Sequence, residues 1–180
     1  MEDEAERVIL VDAGDAAIGT VGKLEAHMRG ALHRAFSVFV VNSSRQVLLQ
    51  RRALGKYHGG GLWSNSCCGH PRPGEATEDA ARRRLQEEMG IDCPVEPVFS
   101  FTYRAEMAGG LTEHEIDHVF VGQFDGDPLP DPREVGEWEW VPAAAIRAAI
   151  VAHPAAYTPW LETALSGLLR RRPALGVIIE

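Results

Sequence analysis

"GHPRPGEATEDAARRRLQEEMGI", residues 69–91, runs from a turn-rich loop into a helix and out again. Pro71, Pro73 and Gly74 keep the first part irregular. From Thr77 to Met89 the residues are helical, with Thr77 as the expected N-cap, Glu78 and Asp79 in the first turn, and Gly90 as the stop. Arg83 and Glu87 stand four apart, as do Arg84 and Glu88. On a helix that spacing gives surface ion pairs worth only about 0.2–0.5 kcal/mol each. Glu87 and Glu88, however, sit in the last turn, where the helix dipole disfavours anions by about 0.3–1 kcal/mol. A bound divalent cation would reverse that penalty.

Outward from this segment the chain reads as one domain, 1–180, with no internal repeat, linker or low-complexity tract. Its 45% hydrophobic and 24% charged residues are ordinary globular values. No apolar run approaches the roughly 18 residues that span a bilayer. The start, MEDEAERVIL, is acidic and lacks the regions of a signal peptide. Three cysteines, two of them adjacent, make no disulfide framework and favour a reducing cytoplasm. A net charge of −8 argues against nucleic-acid or anionic membrane partners, although clustered arginines can still hold a small phosphate.

RVILVD reads as a strand, and KLEAHMRGALH as a helix broken at Gly30. AFSVFVVNSSRQVLLQRR reads as a hairpin. LWSNSC is a brief strand, VEPVFSFTYRAE and LTEHEIDHVFVGQF are strands around the turn MAGG, and EWEWV is another. Two helices close the chain, one entered at Pro142 and one near Pro159. The expected class is α+β or α/β: a mixed β-sheet with α-helices packed on it.

Cys67, Cys68 and His70 raise three possibilities: metal binding, nucleophilic or acid–base chemistry, or plain packing. In an extended TEHEIDH, Glu113, Glu115 and Asp117 share one face, while His114, Ile116 and His118 share the other. Such carboxylates repel one another if buried unless a proton or metal lies between them; a solvated face is the plainer alternative. His27 and His33 bracket MRGAL. Singly, each of these residues is more often structural than a ligand.

Gly69, Glu75, Arg83, Leu85, Glu87, Glu88, Gly90 and Ile91 match the Nudix box, so segment 69–91 resembles that loop–helix–loop, which holds Mg²⁺ on a diphosphate. Arg84 departs from it, since hydrolases of the family place a glutamate there. The whole chain resembles type I isopentenyl-diphosphate isomerases, a branch of the Nudix fold. The residues that carry this are LHRAFSVFVVN, QRRALGK, LWSNSCCGHPRPGE, FTYRAE, EHEI and TPWL, in family order from Lys23 to Trp160.

The resemblance implies a Nudix-type sheet sandwiched by helices and the conversion of isopentenyl to dimethylallyl diphosphate. It implies that Cys68 and Glu115 are the proton-exchanging pair, with Tyr103 beside the acid and Trp160 against the carbocation. His27, His33, His70, Glu113 and Glu115 would gather one Mn²⁺ or Zn²⁺. Mg²⁺ would be held by Glu88 and the backbone carbonyl of Cys68. Lys23, Arg52, Lys56 and Arg84 would neutralise the diphosphate, which turns the Arg84 departure into an anion clamp. A monomer with a small diphosphate substrate is expected. Two alternatives follow from the same residues. One is a Nudix hydrolase of a nucleoside diphosphate derivative. The other is a zinc-stabilised module using Cys67, Cys68, His70 and another histidine, although adjacent cysteines do not match the usual ligand spacing.

Overall fold

The computed structural model describes residues 6–56 and 58–176; the acidic start, 1–5, Tyr57 and residues 177–180 lie outside the described residues. Nine strands form one sheet: β1 Arg7–Val11, β2 Ala17–Gly22, β3 His33–Val41, β4 Gln46–Arg52, β5 Trp63–Ser64, β6 Cys67–Gly69, β7 Val95–Glu106, β8 Thr112–Gln123 and β9 Val135–Pro142. The α-helices are α1 Lys23–Arg29, α2 Thr77–Met89, α3 Ala143–Ala152 and α4 Leu161–Arg171.

β3 organises the sheet. Its run AFSVFVV is buried on both faces, as suits a strand covered on two sides. Along one edge it pairs in parallel with β8, from His33↔Glu115 to Val41↔Gln123. The other edge is divided among β1 at Leu10↔His33, β6 at Ser37↔Cys68 and its neighbours, and β4 at Val41↔Val47. Phe36, Val38 and Val40 pack against Ala80, Ala81, Leu85 and Met89 of α2. Phe39 and Val41 pack on the opposite face with Ile146 of α3 and Leu161, Leu165 and Leu168 of α4. Helices therefore cover both faces of a mixed sheet, as the sequence leads one to expect.

Three expectations need correction. β3 and β4 are both strands, but they share only the pair Val41↔Val47 and form no hairpin ladder. β4 pairs instead with β9 along its whole length, because β6 and β1 already occupy the adjacent edge of β3. Thr77 is the first helical residue rather than the cap; Ala76 takes that position without a side-chain hydrogen bond. Glu75 does the anchoring, accepting from the Arg72 amide at 2.8 Å and from Arg83 Nε at 2.7 Å. Finally, Arg84–Glu88 is no surface pair, since Glu88 is buried. The expected stop holds: Gly90 is left-handed at φ 66°, and a Cβ there would lie 2.6 Å from the Leu129 carbonyl oxygen. β2 was not foreseen.

Candidate active site

Strand register assembles the site. Tyr103 of β7 lies opposite Glu115 of β8, which lies opposite His33 of β3, so three strands set one row across the sheet. The two-residue period adds Glu113 and Asp117 to the same face, and all three carboxylates are buried. The solvated alternative fails. His114 and His118 turn away, hydrogen-bonding to the Gly30 carbonyl at 2.9 Å and to Asp15 at 2.8 Å.

α1 ends at left-handed Gly30 and delivers His27, whose Nε2 approaches Glu113 Oε2 to 3.0 Å. That carboxylate oxygen is buried yet accepts no aligned hydrogen bond, as expected where two ligands aim at a common point. His33 Nδ1 donates to the Ala31 carbonyl at 2.8 Å, which turns Nε2 toward the site. His33 Nε2 lies 3.2 Å from His70 Nε2, and both approach Glu115 Oε1, at 3.3 and 2.8 Å. Donor atoms of His27, His33, His70, Glu113 and Glu115 all lie within 4.8 Å of one another. Separations near 3 Å are those of ligands sharing one ion at about 2.0–2.2 Å, and imidazole with carboxylate suits a divalent metal. The five residues fit a cation.

Burial opposes the ionisation of Glu115, but hydrogen bonds from His33 and His70 prevail and hold it well below the usual carboxylate range. Tyr103 OH donates to its other oxygen at 2.6 Å, and the phenol is itself pushed well up by burial and by Glu115. Burial draws His70 down to about 4. Asp117, receiving only Ser37 Oγ at 2.7 Å, is raised well above its ordinary value by burial and by Glu115.

Cys68 belongs to β6, on the far side of β3 from β8, and its pairing with Ser37 puts it on the same face as Glu115. Its thiol donates to Asn65 Oδ1 at 3.1 Å, and the same oxygen accepts from Trp160 Nε1 at 3.1 Å and Ser64 Oγ at 3.1 Å. Asn65 Nδ2 donates to the Val38 and Cys67 carbonyls at 3.1 and 2.8 Å, which fixes the orientation of the amide. Burial pushes the Cys68 thiol up to about 12. The Tyr103 and Trp160 rings lie 6.0 Å apart between centroids.

One cleft is lined by Cys68, Glu115, Tyr103 and Trp160 together with Lys23, Arg52, Lys56, Arg84 and Glu88. His27 and His33 sit buried behind it. The basic residues are already engaged. Arg84 contacts Glu87 at 2.8 Å, Glu88 at 2.6 Å and Glu134 at 3.2 Å. Lys56 also pairs with Glu134, and Lys23 with Glu6 at 2.8 Å. Arg52 Nε is buried without a hydrogen-bond partner. Cys67 packs in the core with α2 and, among the described residues, joins no metal-ligating group, which corrects the zinc-module alternative. Sequence reasoning missed Asn65, His58, Glu6, Glu134 and Gln50, whose Nε2 donates to Glu88 Oε2 at 3.0 Å. Only Asn65 had a signal, its place inside WSNSCC.

The NUDIX domain family matches residues 31–161. Isopentenyl-diphosphate Delta-isomerase 2 of Aromatoleum aromaticum is 51% identical over 176 residues, covering 98% of this chain and 92% of the relative. The isopentenyl-diphosphate Delta-isomerase of Burkholderia multivorans is 53% identical over 155 residues, 86% and 88% of the two chains. Among solved structures, a Deinococcus radiodurans protein aligns with a TM-score of 0.74 at 23% identity, covering 89% of this chain and 98% of its own. A MutT protein from Methanosarcina mazei gives 0.66 at 18% identity, covering 78% and 95%. Those two likenesses establish the fold. With a NUDIX match over most of its length and about half its residues shared with these relatives, the chain belongs to the isopentenyl-diphosphate Delta-isomerase family of the Nudix superfamily.

Proposed function

We propose that this protein interconverts isopentenyl diphosphate and dimethylallyl diphosphate in isoprenoid biosynthesis. The observation that carries the reading is that Cys68 and Glu115, from strands flanking β3 on opposite edges, line one cleft with Tyr103 and Trp160. The reaction adds a proton at C4, removes one from C2, and moves the double bond from C3–C4 to C2–C3. An alkene is a very poor base, so a proton carrier must be held in contact with it. In this reading Cys68 and Glu115 are the two proton carriers, one donating at C4 and the other accepting from C2. The Trp160 face would stabilise the tertiary carbocation by up to about 2 kcal/mol and exclude water. Tyr103 orients Glu115 through its 2.6 Å hydrogen bond.

A divalent ion, Mn²⁺ or Zn²⁺, held by His27, His33, His70, Glu113 and Glu115 would fix the orientation of that carboxylate and tune its acidity. Glu88 and the Cys68 carbonyl would hold Mg²⁺ against the diphosphate, and Lys23, Arg52, Lys56 and Arg84 would meet its remaining charge. Anchoring also positions the five-carbon chain. We read the chain as one domain, 1–180, acting as a cytoplasmic monomer on a small diphosphate, without nucleic-acid or membrane partners. No helix among the described residues is long and apolar enough to cross a membrane.

The test is incubation of the purified protein with isopentenyl diphosphate, Mg²⁺ and Mn²⁺ in heavy water. Deuterated dimethylallyl diphosphate is expected; no product and no deuterium uptake would overturn the reading. Phosphate release from a nucleotide panel separates the hydrolase alternative.

A further inference from the structure

The loop between β4 and β5 is rich in glycine and ends at the solvent, with Leu54 85% exposed, yet His58 within it is only 7% exposed. Its Nε2 lies 2.6 Å from Glu113 Oε1. Glu113 is thus bracketed by two imidazoles, since His27 approaches the other oxygen at 3.0 Å. His58 is outside the five residues whose donor atoms converge on the candidate cation position. It therefore touches a ligand rather than the ion.

The same loop reaches the diphosphate side. The His58 carbonyl accepts from Arg52 Nη2 at 3.3 Å, and Lys56, two residues earlier, pairs with Glu134. The loop is stiff. The Lys56 amide donates to the Ala53 carbonyl at 3.1 Å and the Gly61 amide to the Arg52 carbonyl at 2.9 Å. At Gly60 a Cβ would sit 2.8 Å from the Leu54 carbonyl oxygen and 3.2 Å from those of Ala53 and Lys56.

We propose that His58 is a positioning residue that couples the two halves of the site, orienting Glu113 for the cation and seating the loop that carries Lys56 beside Arg52. Hydrogen-bonding partners outside the ligand set that orient a metal-bound group are commonly worth 10–100-fold in metal affinity. The link also makes cation and diphosphate binding reinforce each other, because coupling between two sites is reciprocal. The diphosphate half rests on the isomerase reading; the metal half does not.

His58→Ala and His58→Gln test it, with Mn²⁺ and Zn²⁺ affinity measured by competition with a chromophoric chelator, and KM for isopentenyl diphosphate measured at saturating metal. His58→Ala is expected to bind metal about 10–100-fold more weakly and to show a KM raised more than kcat is lowered. His58→Gln, whose amide N–H can still reach Glu113, is expected to recover most of the metal affinity. Metal affinity within twofold of wild type in His58→Ala would overturn the proposal, as would a glutamine variant no better than alanine. A KM unchanged while metal binding weakens would overturn the coupling. The chelator measurement is decisive even if no isomerase activity is found, so the two readings fail separately.

Discussion

Glu115 and Cys68 lie on strands at the two edges of β3, and burial disfavours the charged form of both, yet they end in opposite protonation states. Glu115 receives donors: Tyr103 OH at 2.6 Å and the imidazoles of His70 and His33 at 2.8 and 3.3 Å. Those donors outweigh desolvation. At Cys68 burial pushes the thiol up to about 12, and its S–H donates to Asn65 Oδ1 at 3.1 Å. Burial acts on both groups; the donors around Glu115 overcome it, and at Cys68 it prevails.

The comparison breaks most severely if either partner is deleted. Glu115→Gln and Cys68→Ala should each lower turnover by about 10³–10⁴-fold, read from dimethylallyl diphosphate formation. Near-normal activity in either variant would remove that residue from the chemistry. The asymmetry is sharpened by alkylation of Cys68 in the metal-free protein. With the thiol pushed up to about 12, iodoacetamide should react at pH 8 roughly 10³-fold more slowly than with an exposed cysteine. The sign is diagnostic. Because the raised value keeps the reactive thiolate scarce, the rate should climb about tenfold per pH unit from 7 to 10. A plateau near pH 8.5 would show an ordinary thiol. Cys67→Ala and Cys93→Ala remove the other two thiols from that measurement.

Tyr103→Phe deletes one of the donors to Glu115 and leaves the ring. A loss of about 10–100-fold in kcat with little change in KM is expected. A change confined to KM would make Tyr103 a wall of the pocket only. The smallest effect belongs to the neighbouring cysteine. Cys67 is fully buried against α2, so Cys67→Ala should cost about 1 kcal/mol in urea unfolding while kcat stays within twofold.

Much of this was legible because the signals were local. Arg83, Glu87, Glu88 and Gly90 mark their helix by spacing, and the alternation in TEHEIDH puts Glu113, Glu115 and Asp117 on one face. Alternation does not say whether that face is wet; His27, His33, His58 and His70, all distant in sequence, close over Glu113 and Glu115. The β3–β4 hairpin misled for a related reason. Two apolar runs around a polar turn specify strands, but which edge each takes depends on β6, β9 and β1, distant in sequence. His58 carried no pattern at all, because a lone histidine among glycines gains its meaning from a carboxylate fifty-five positions later. Asn65 sat in plain view beside the cysteines, but an amide's role depends on which atoms it meets.

That amide has a consequence for substrate size. Indole, thiol and serine hydroxyl all terminate on a single oxygen of Asn65, whose nitrogen is tethered to two strands of the sheet. Widening the cleft for a longer substrate by trimming one of the three would leave the other two tied to that oxygen, whereas replacing Asn65 would free all of them.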